Sequence, residues 1–399
     1  MHNDSMTRGV TRVTRTRGIY RQTSRATLFL ATAAALTACA DDTPTQPRAN
    51  IPEGGPKSVA LGINILPPGQ QFPAKIAYVT GSPNGKQAYV QVYDRFGAQM
   101  LRFQAFTDTW DNSGVEVAIG DVNGDGWPDI LAGEGPAQFS PTGSRFGVWD
   151  GKTGAWIGGY GMGSGYKYGV RVGAGDIDGD GRDEIFTCSG PTSEGTRFNI
   201  LRYNQWVPNI GYVIPSTGLG WYTGKNTYNG CRVAGGDVDG DGKDELIAVF
   251  EGPANALLIR NHSGGTIVRW NALNIGYSGQ ISVASADVNG DKKAEIFLGR
   301  LTGLDKLPPV RIYDGAAVMN SSTLPLPVMT YPITSSIYNT GIHVAARDLN
   351  GDGSAELLAK LSTTGGYSMY VARMGPTFTS LWLNRFEPPG TLPGGGPIG

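Results

Sequence analysis

One acidic pattern recurs five times along the 399 residues and leaves few architectures open. Its copies begin at Asp121, Asp176, Asp237, Asp287 and Asp348, about 57 residues apart, and each reads Asp-x-(Asp or Asn)-Gly-Asp with a further acid at the ninth position. A period of this length marks a repeat architecture, in which each unit buries its faces only against its neighbours. Alternating apolar residues such as Val115, Val117 and Ile119 enter each loop, and a second apolar run such as Leu246 to Val249 leaves it. The loop therefore joins two strands of a hairpin. Two weaker strands follow in most units, as in Arg145 to Trp149 with Ala155 to Ile157, or Val310 to Tyr313 with Val328 to Tyr331. Four strands per unit at this period predict an all-β propeller of four-stranded antiparallel blades.

A sixth unit is expected upstream, where Ile76 to Gly81, Tyr89 to Tyr93 and Met100 to Phe103 repeat the strand spacing. Its first strand would be Val59 to Ile65, and the segment Leu66 to Lys75 replaces its acidic loop. Six units fill residues 58–388, so the expected fold is a six-bladed propeller in one domain; a seven-bladed ring would need about one more unit than the chain supplies. The 60 Gly and 25 Pro suit turns rather than helix interiors, and 40% apolar residues provide a core. A net charge of −1, with no basic cluster beyond the first 25 residues, argues against a nucleic-acid partner.

Oxygen ligands at alternate positions of a tight loop, with Gly for the turn and a last carboxylate to close the shell, suit a hard cation such as calcium. The candidate side-chain ligands are Asp121, Asn123, Asp125 and Asp129; Asp176, Asp178, Asp180 and Glu184; Asp237, Asp239, Asp241 and Glu245; Asp287, Asn289, Asp291 and Glu295; and Asp348, Asn350, Asp352 and Glu356. The seventh-position carbonyls of Trp127, Arg182, Lys243, Lys293 and Ser354 are expected to add a backbone ligand. An Asx turn without an ion explains one isolated Asp-Gly, but not five loops that each gather three or four carboxylates. Up to five Ca2+ ions are expected. The site at Asp287 should be weakest, because Lys292 stands where the other loops have Gly, at a position that calls for a positive φ.

Six arginines and one acid precede the apolar run Ala26 to Ala38, which ends in Leu36-Thr37-Ala38-Cys39. That order reads as a secretory signal over residues 1–38, too short to span a bilayer. Its end resembles the lipobox of bacterial lipoproteins, which implies lipidation of Cys39. Residues 39–57 read as a polar, Pro-rich tether and residues 389–399 as a Pro/Gly-rich tail. The expected location is the bacterial cell envelope, at the outer membrane or cell surface, with the chain exported and lipid-anchored. In that compartment Cys188 and Cys231, which end one strand and begin the first strand of the next unit, either pair as a disulfide or remain buried thiols.

The units resemble the FG-GAP repeat, also known as the integrin-α-like or VCBS repeat. The resemblance rests on the five acidic loops, on Tyr168-Gly169 before a first strand, and on the Gly135-Pro136, Gly190-Pro191 and Gly252-Pro253 pairs after second strands. It implies a calcium-binding propeller whose acidic loops share one face while partners meet the opposite one. In this chain the opposite loops carry Tyr160, Tyr166, Tyr168, Trp221, Tyr222, Tyr228, Tyr277 and Tyr338, rings that either bind a partner or pack between blades. Of three histidines, His2 lies in the signal while His262 and His343 are scattered, and neither a G-x-S-x-G nor an H-E-x-x-H motif occurs. The expected function is therefore non-catalytic: a monomer that binds a glycan or protein partner. The alternative is an extracytoplasmic polysaccharide lyase or hydrolase on a propeller scaffold.

Overall fold

The computed structural model describes residues 65–399 except 84, 108–112, 137–142, 162–165, 193–194, 203, 208–210, 214–220, 223–228, 253–254, 271–278, 302–308, 333–340, 362–368, 375–379 and 387–397. The expected signal, Cys39 and tether lie outside the described residues.

The chain is an all-β propeller of antiparallel sheets. Its first sheet has three strands, β1 (Tyr78–Gly81), β2 (Tyr89–Tyr93) and β3 (Gln99–Gln104). A four-stranded sheet follows, β4 (Val115–Gly120), β5 (Asp129–Glu134), β6 (Arg145–Trp149) and β7 (Trp156–Gly161). The next contains β8 (Val170–Gly175), β9 (Glu184–Ser189) and β10 (Arg197–Leu201). A two-stranded ribbon, β11 (Asn204–Val207) with β12 (Gly211–Val213), interrupts it before β13 (Trp221–Tyr222) completes the sheet. The fourth is β14 (Cys231–Gly236), β15 (Glu245–Phe250), β16 (Ala256–Arg260) and β17 (Thr266–Trp270). In the fifth, β18 (Ile281–Ala286), β19 (Glu295–Arg300) and β20 (Pro309–Tyr313) are followed by a short helix, α1 (Gly315–Met319), and β21 (Met329–Pro332). The last is β22 (Ile342–Arg347), β23 (Glu356–Leu361), β24 (Met369–Met374) and β25 (Ser380–Phe386).

Among the described residues there are thus five complete four-stranded blades, not six or seven. The upstream unit is where the expectation departs. Of its expected first strand, residues 59–64 lie outside the described residues, while Ile65 donates its N–H to the Gly154 carbonyl in the β6–β7 turn and packs on the apolar cluster between the first two sheets. Residues 398 and 399, read from sequence as part of a tail, pair with β1: Val79 N–H donates to Gly399 O at 2.9 Å, and Gly399 N–H donates back at 3.1 Å.

Among the described residues no single central core forms. Apolar clusters lie between consecutive sheets, with Phe103 against Trp149, Phe198 against Phe250, and Phe297 beside Val344. A cluster of Tyr78, Tyr93, Ala345, Leu358 and Ile398 joins the last sheet to the first and closes the ring. Second strands are covered on both faces, so every residue of β5, β9 and β15 is buried. Each buried Leu, Ile or Phe there stabilises the fold by about 1.5–3 kcal/mol. The Gly-Pro pairs mark tight approach: a Cβ on Gly190 would lie 2.0 Å from Tyr168 O, and one on Gly135 1.8 Å from Ser113 O.

Candidate metal centres and axial channel

All five acidic loops fold alike, because the first aspartate organises the backbone that follows it. Asp237 Oδ1 accepts N–H bonds from Gly240 at 2.6 Å and Asp241 at 3.1 Å, and its Oδ2 accepts from Gly242 at 2.9 Å. Asp239 then accepts from Asp241 N–H at 3.0 Å, Asp241 from Lys243 N–H at 2.9 Å, and the closing Glu245 from Val238 N–H at 3.1 Å. The turn needs left-handed backbone at positions four and six, supplied by Gly240 (φ 82°) and Gly242 (φ 86°). In the loop at Asp287 position six is Lys292, with φ 69°, making the same bond to Asp287 Oδ2 at 2.8 Å.

Two loops draw three carboxylates within 4.8 Å of one another: Asp176, Asp178 and Glu184, and Asp237, Asp239 and Glu245. This all-oxygen, anionic donor set fits a hard divalent cation. Burial first, and then the facing Asp239, push Glu245 up to about 8. Burial followed by neighbouring carboxylates likewise takes Asp129 and Glu295 to about 8 and Glu184 to about 7. Such crowding favours a positive charge among these oxygens. In the three loops with Asn at position three the amide supplies a donor instead. Asn123 Nδ2 donates to Asp150, Asn289 Nδ2 to Glu295, and Asn350 Nδ2 to Glu356.

The loops are also tied to one another through the residue before each closing acid. Asp183 N–H donates to Asp121 O, Asp244 N–H to Asp176 O, Ala294 N–H to Asp237 O and Ala355 N–H to Asp287 O, at 2.6–2.9 Å. Asp183 and Asp244 return a carboxylate to the N–H of Asp121 and Asp176. Arg347, at the end of β22, lies close enough to Asp183, Asp348 and Asp121 to interact with all three. At the same register the other inner strands carry Gly120, Gly175, Gly236 and Ala286.

Small side chains line the channel between the inner strands, a cavity of about 140 Å³ bounded by Ala118, Ala174, Ala234, Ala284 and Ala345. At its end remote from the acidic loops the second residues of the inner strands are all polar: Glu116, Arg171, Arg232, Ser282 and His343. Arg232 forks onto Glu116 at 2.7 and 2.9 Å across the axis. Arg171 donates to Cys231 O at 2.9 Å and lies 2.8 Å from Glu251. Burial opposes the charge of Glu116, but Arg232 and Arg171 outweigh it and hold the carboxyl at about 2. Burial, then the charge of Arg232, takes His343 down to about 3. Its cross-strand partner Lys360 is lowered to about 7 by burial.

Other expected site residues fare differently. Tyr166 and Tyr168 are half-buried and meet edge to face at 5.7 Å; Tyr166 packs on the core between β6 and β8 and donates its hydroxyl to Gly169 O. Tyr160 falls in β7, and Trp221 and Tyr222 form β13. Tyr228, Tyr277 and Tyr338 lie outside the described residues. His262 is exposed on a turn. Cys188 and Cys231 form a disulfide between neighbouring blades, with Cα atoms 5.8 Å apart. The interloop aspartates and the polar ring were not anticipated. Asp183 and Asp244 sit one place before the ninth-position acid, and only the spatial neighbour reveals what they hold.

The FG-GAP-like repeat matches this chain twice, at residues 121–187 and 237–298. No curated protein matches in sequence. Among solved structures, the exotype rhamnogalacturonan lyase YesX is 13% identical, covering 82% of this chain and 68% of its own, with a TM-score of 0.39. AofleA from Arthrobotrys oligospora is 11% identical over 80% of this chain and 89% of its own, with a TM-score of 0.46. A protein of unknown function from Bacteroides caccae is 8% identical over 81% and 98%, with a TM-score of 0.45. At these identities and TM-scores the three carry no functional argument.

Proposed function

We propose that this chain, a β-propeller carrying FG-GAP-like repeats, is a non-catalytic, calcium-stabilised recognition module. The observation that carries the reading is the row of acidic loops. They repeat one oxygen cradle on successive blades and hydrogen-bond to each other, so an ion in one loop also stiffens its neighbour. Calcium would be held by the side chains at positions one, three, five and nine, and its chemistry there is charge neutralisation. The partner, a glycan or protein, meets the face opposite the loops, where the inner strands begin. Export through the signal and lipidation at Cys39 would display the module on the cell envelope. Among the described residues no helix is long and apolar enough to cross a membrane.

A second reading, a polysaccharide lyase or hydrolase, draws on the basic ring of Arg171, Arg232 and Lys360 beside Glu116. Against it, Glu116 and Glu251 are already paired with arginines. The deciding test is a glycan array with and without chelator, alongside turnover assays on the glycans that bind. Calcium-dependent binding without turnover supports the module. Turnover transfers the chain to the enzyme reading, and unchanged binding after chelation removes calcium from the account.

A further inference from the structure

The metal loops are not completed by the repeat motif alone. In each blade the third strand runs antiparallel to the second, and its register places one residue opposite the closing acid. Ile130 pairs with Trp149, Ile185 with Leu201, Leu246 with Arg260, Ile296 with Tyr313 and Leu357 with Ala372. The next residues, opposite Asp129, Glu184, Glu245, Glu295 and Glu356, are Asp150, Arg202, Asn261, Asp314 and Arg373.

At two of these positions the side chain reaches its loop. Asp150 Oδ2 accepts from Asn123 Nδ2 at 2.9 Å, and its charge adds to the upward push on Asp129. Asp314 faces Glu295 by register but turns its carboxylate to the N–H of Ala317 at the start of α1, and so acts on that loop by charge alone. Arg202 does the reverse: Nε donates to Glu184 Oε1 at 2.9 Å, and Nη2 is paired with Asp178. Its guanidinium thus engages two of the three carboxylates that converge in that loop. The side chain is 46% exposed, so it can leave for solvent without a desolvation cost.

The facing charges differ from loop to loop. The loops at Asp121 and Asp287 have Asn at position three, and there the third strand supplies an additional acid, whereas the loop at Asp348, also with Asn at position three, is faced by Arg373. The loop at Asp176 has four acids, and there the third strand supplies a cation. We propose that the third-strand residue facing the closing acid sets the metal affinity of each loop, and that Arg202 is a built-in competitor for the cation at the loop of Asp176. The inference rests on calcium being the ligand of these loops. It ranks the two four-acid loops, which are alike in their ligands: Asp237, faced by neutral Asn261, binds more tightly than Asp176. A unit positive charge a few ångströms from a divalent ion weakens binding by at least about tenfold, even in a solvent-like dielectric.

The test is calcium titration calorimetry on the full chain and on Arg202→Asn, Asn261→Arg, Asp178→Asn and the Arg202→Asn/Asp178→Asn double variant, with the melting temperature followed in parallel. Arg202→Asn should tighten one site by about tenfold, and Asn261→Arg should weaken one by a similar factor. In the Asp178→Asn background, where the guanidinium has lost one of its two carboxylate partners, the gain from Arg202→Asn should shrink. An unchanged affinity for Arg202→Asn, or an equal gain in the Asp178→Asn background, overturns the role of Arg202. A wild-type chain that takes up no calcium removes the underlying reading as well, and that result is distinct because all variants would then be silent.

Discussion

Replacing Lys292 with glycine isolates the backbone cost of one loop from its ligands. Lys292 sits at φ 69°, whereas the equivalent Gly126, Gly181, Gly242 and Gly353 lie between 79° and 88°. A side chain in this left-handed region costs about 1–2 kcal/mol. Glycine returns part of that gain, about 0.5–1 kcal/mol, through the greater freedom of the unfolded chain. The expected net effect of Lys292→Gly is a stabilisation of about 0.5–1 kcal/mol, or on the order of 1–2 °C in melting temperature. Lys292→Ala is the matched control, since it removes the ammonium but keeps the strain. Urea unfolding should be run on all three chains, once in chelator and once in millimolar calcium. In chelator the glycine variant should exceed the alanine variant by the strain that glycine relieves. In calcium both should gain over wild type, because the cation beside the site has gone. A glycine variant no more stable than the alanine variant in chelator would refute the claim that this loop is strained.

Three further perturbations probe the body of the propeller. Gly190→Ala places a Cβ 2.0 Å from the carbonyl of Tyr168, between strands already hydrogen-bonded at that point, and should cost about 3 kcal/mol or more in a thermal melt; a loss under about 1 kcal/mol would mean the strands have room to part. Reducing the Cys188–Cys231 disulfide releases a loop with a sequence separation of 43, worth up to about 4 kcal/mol by chain entropy. Reductant should therefore lower the unfolding midpoint of wild type and leave Cys188→Ser/Cys231→Ser unmoved, and an equal response of both would contradict the pairing. His343 is held at about 3 by burial and by Arg232, below its unfolded value near 6.5. Below pH 6.5 the unfolded chain gains a proton that the folded chain refuses, so stability falls as pH drops from 6.5 to 3, by at most about 1.4 kcal/mol per pH unit from this group. His343→Gln should lose less stability than wild type between pH 7 and pH 4, and parallel losses would place the histidine in a solvated site.

The parts of the molecule legible in the sequence are those fixed by local chemistry. The acidic loops declare their turn geometry through the alternate spacing of Asp, Asn and Gly, and the left-handed turn at Lys292 follows from the glycines its sister loops carry there. The strands around each loop follow from alternation, and β2 and β3 appear where apolar runs were read. What escaped depends on partners distant in sequence. Two residues, Ile398 and Gly399, pair with β1 without any strand signal of their own, since two residues carry no periodicity. Glu116, Arg171 and Arg232 occupy the polar phase of half-buried strands, so alternation alone would send them to solvent; only the ring turns that phase toward the axis. Arg202 reads as an ordinary residue after a strand until register sets it opposite Glu184. Counting across the hairpin from each closing acid would have found it.

The central claim is that the acidic loops are calcium sites that hold adjacent blades together. Its most direct test is the unfolding free energy of the full chain in excess chelator against that in about 1 mM calcium. With dissociation constants of about 10⁻⁴ to 10⁻³ M, each occupied loop contributes roughly 0.4–1.4 kcal/mol, or on the order of 2–7 kcal/mol over five loops. A gain of that size is expected, rising with calcium concentration and reduced in Asp237→Asn. Identical unfolding curves in chelator and calcium would contradict it.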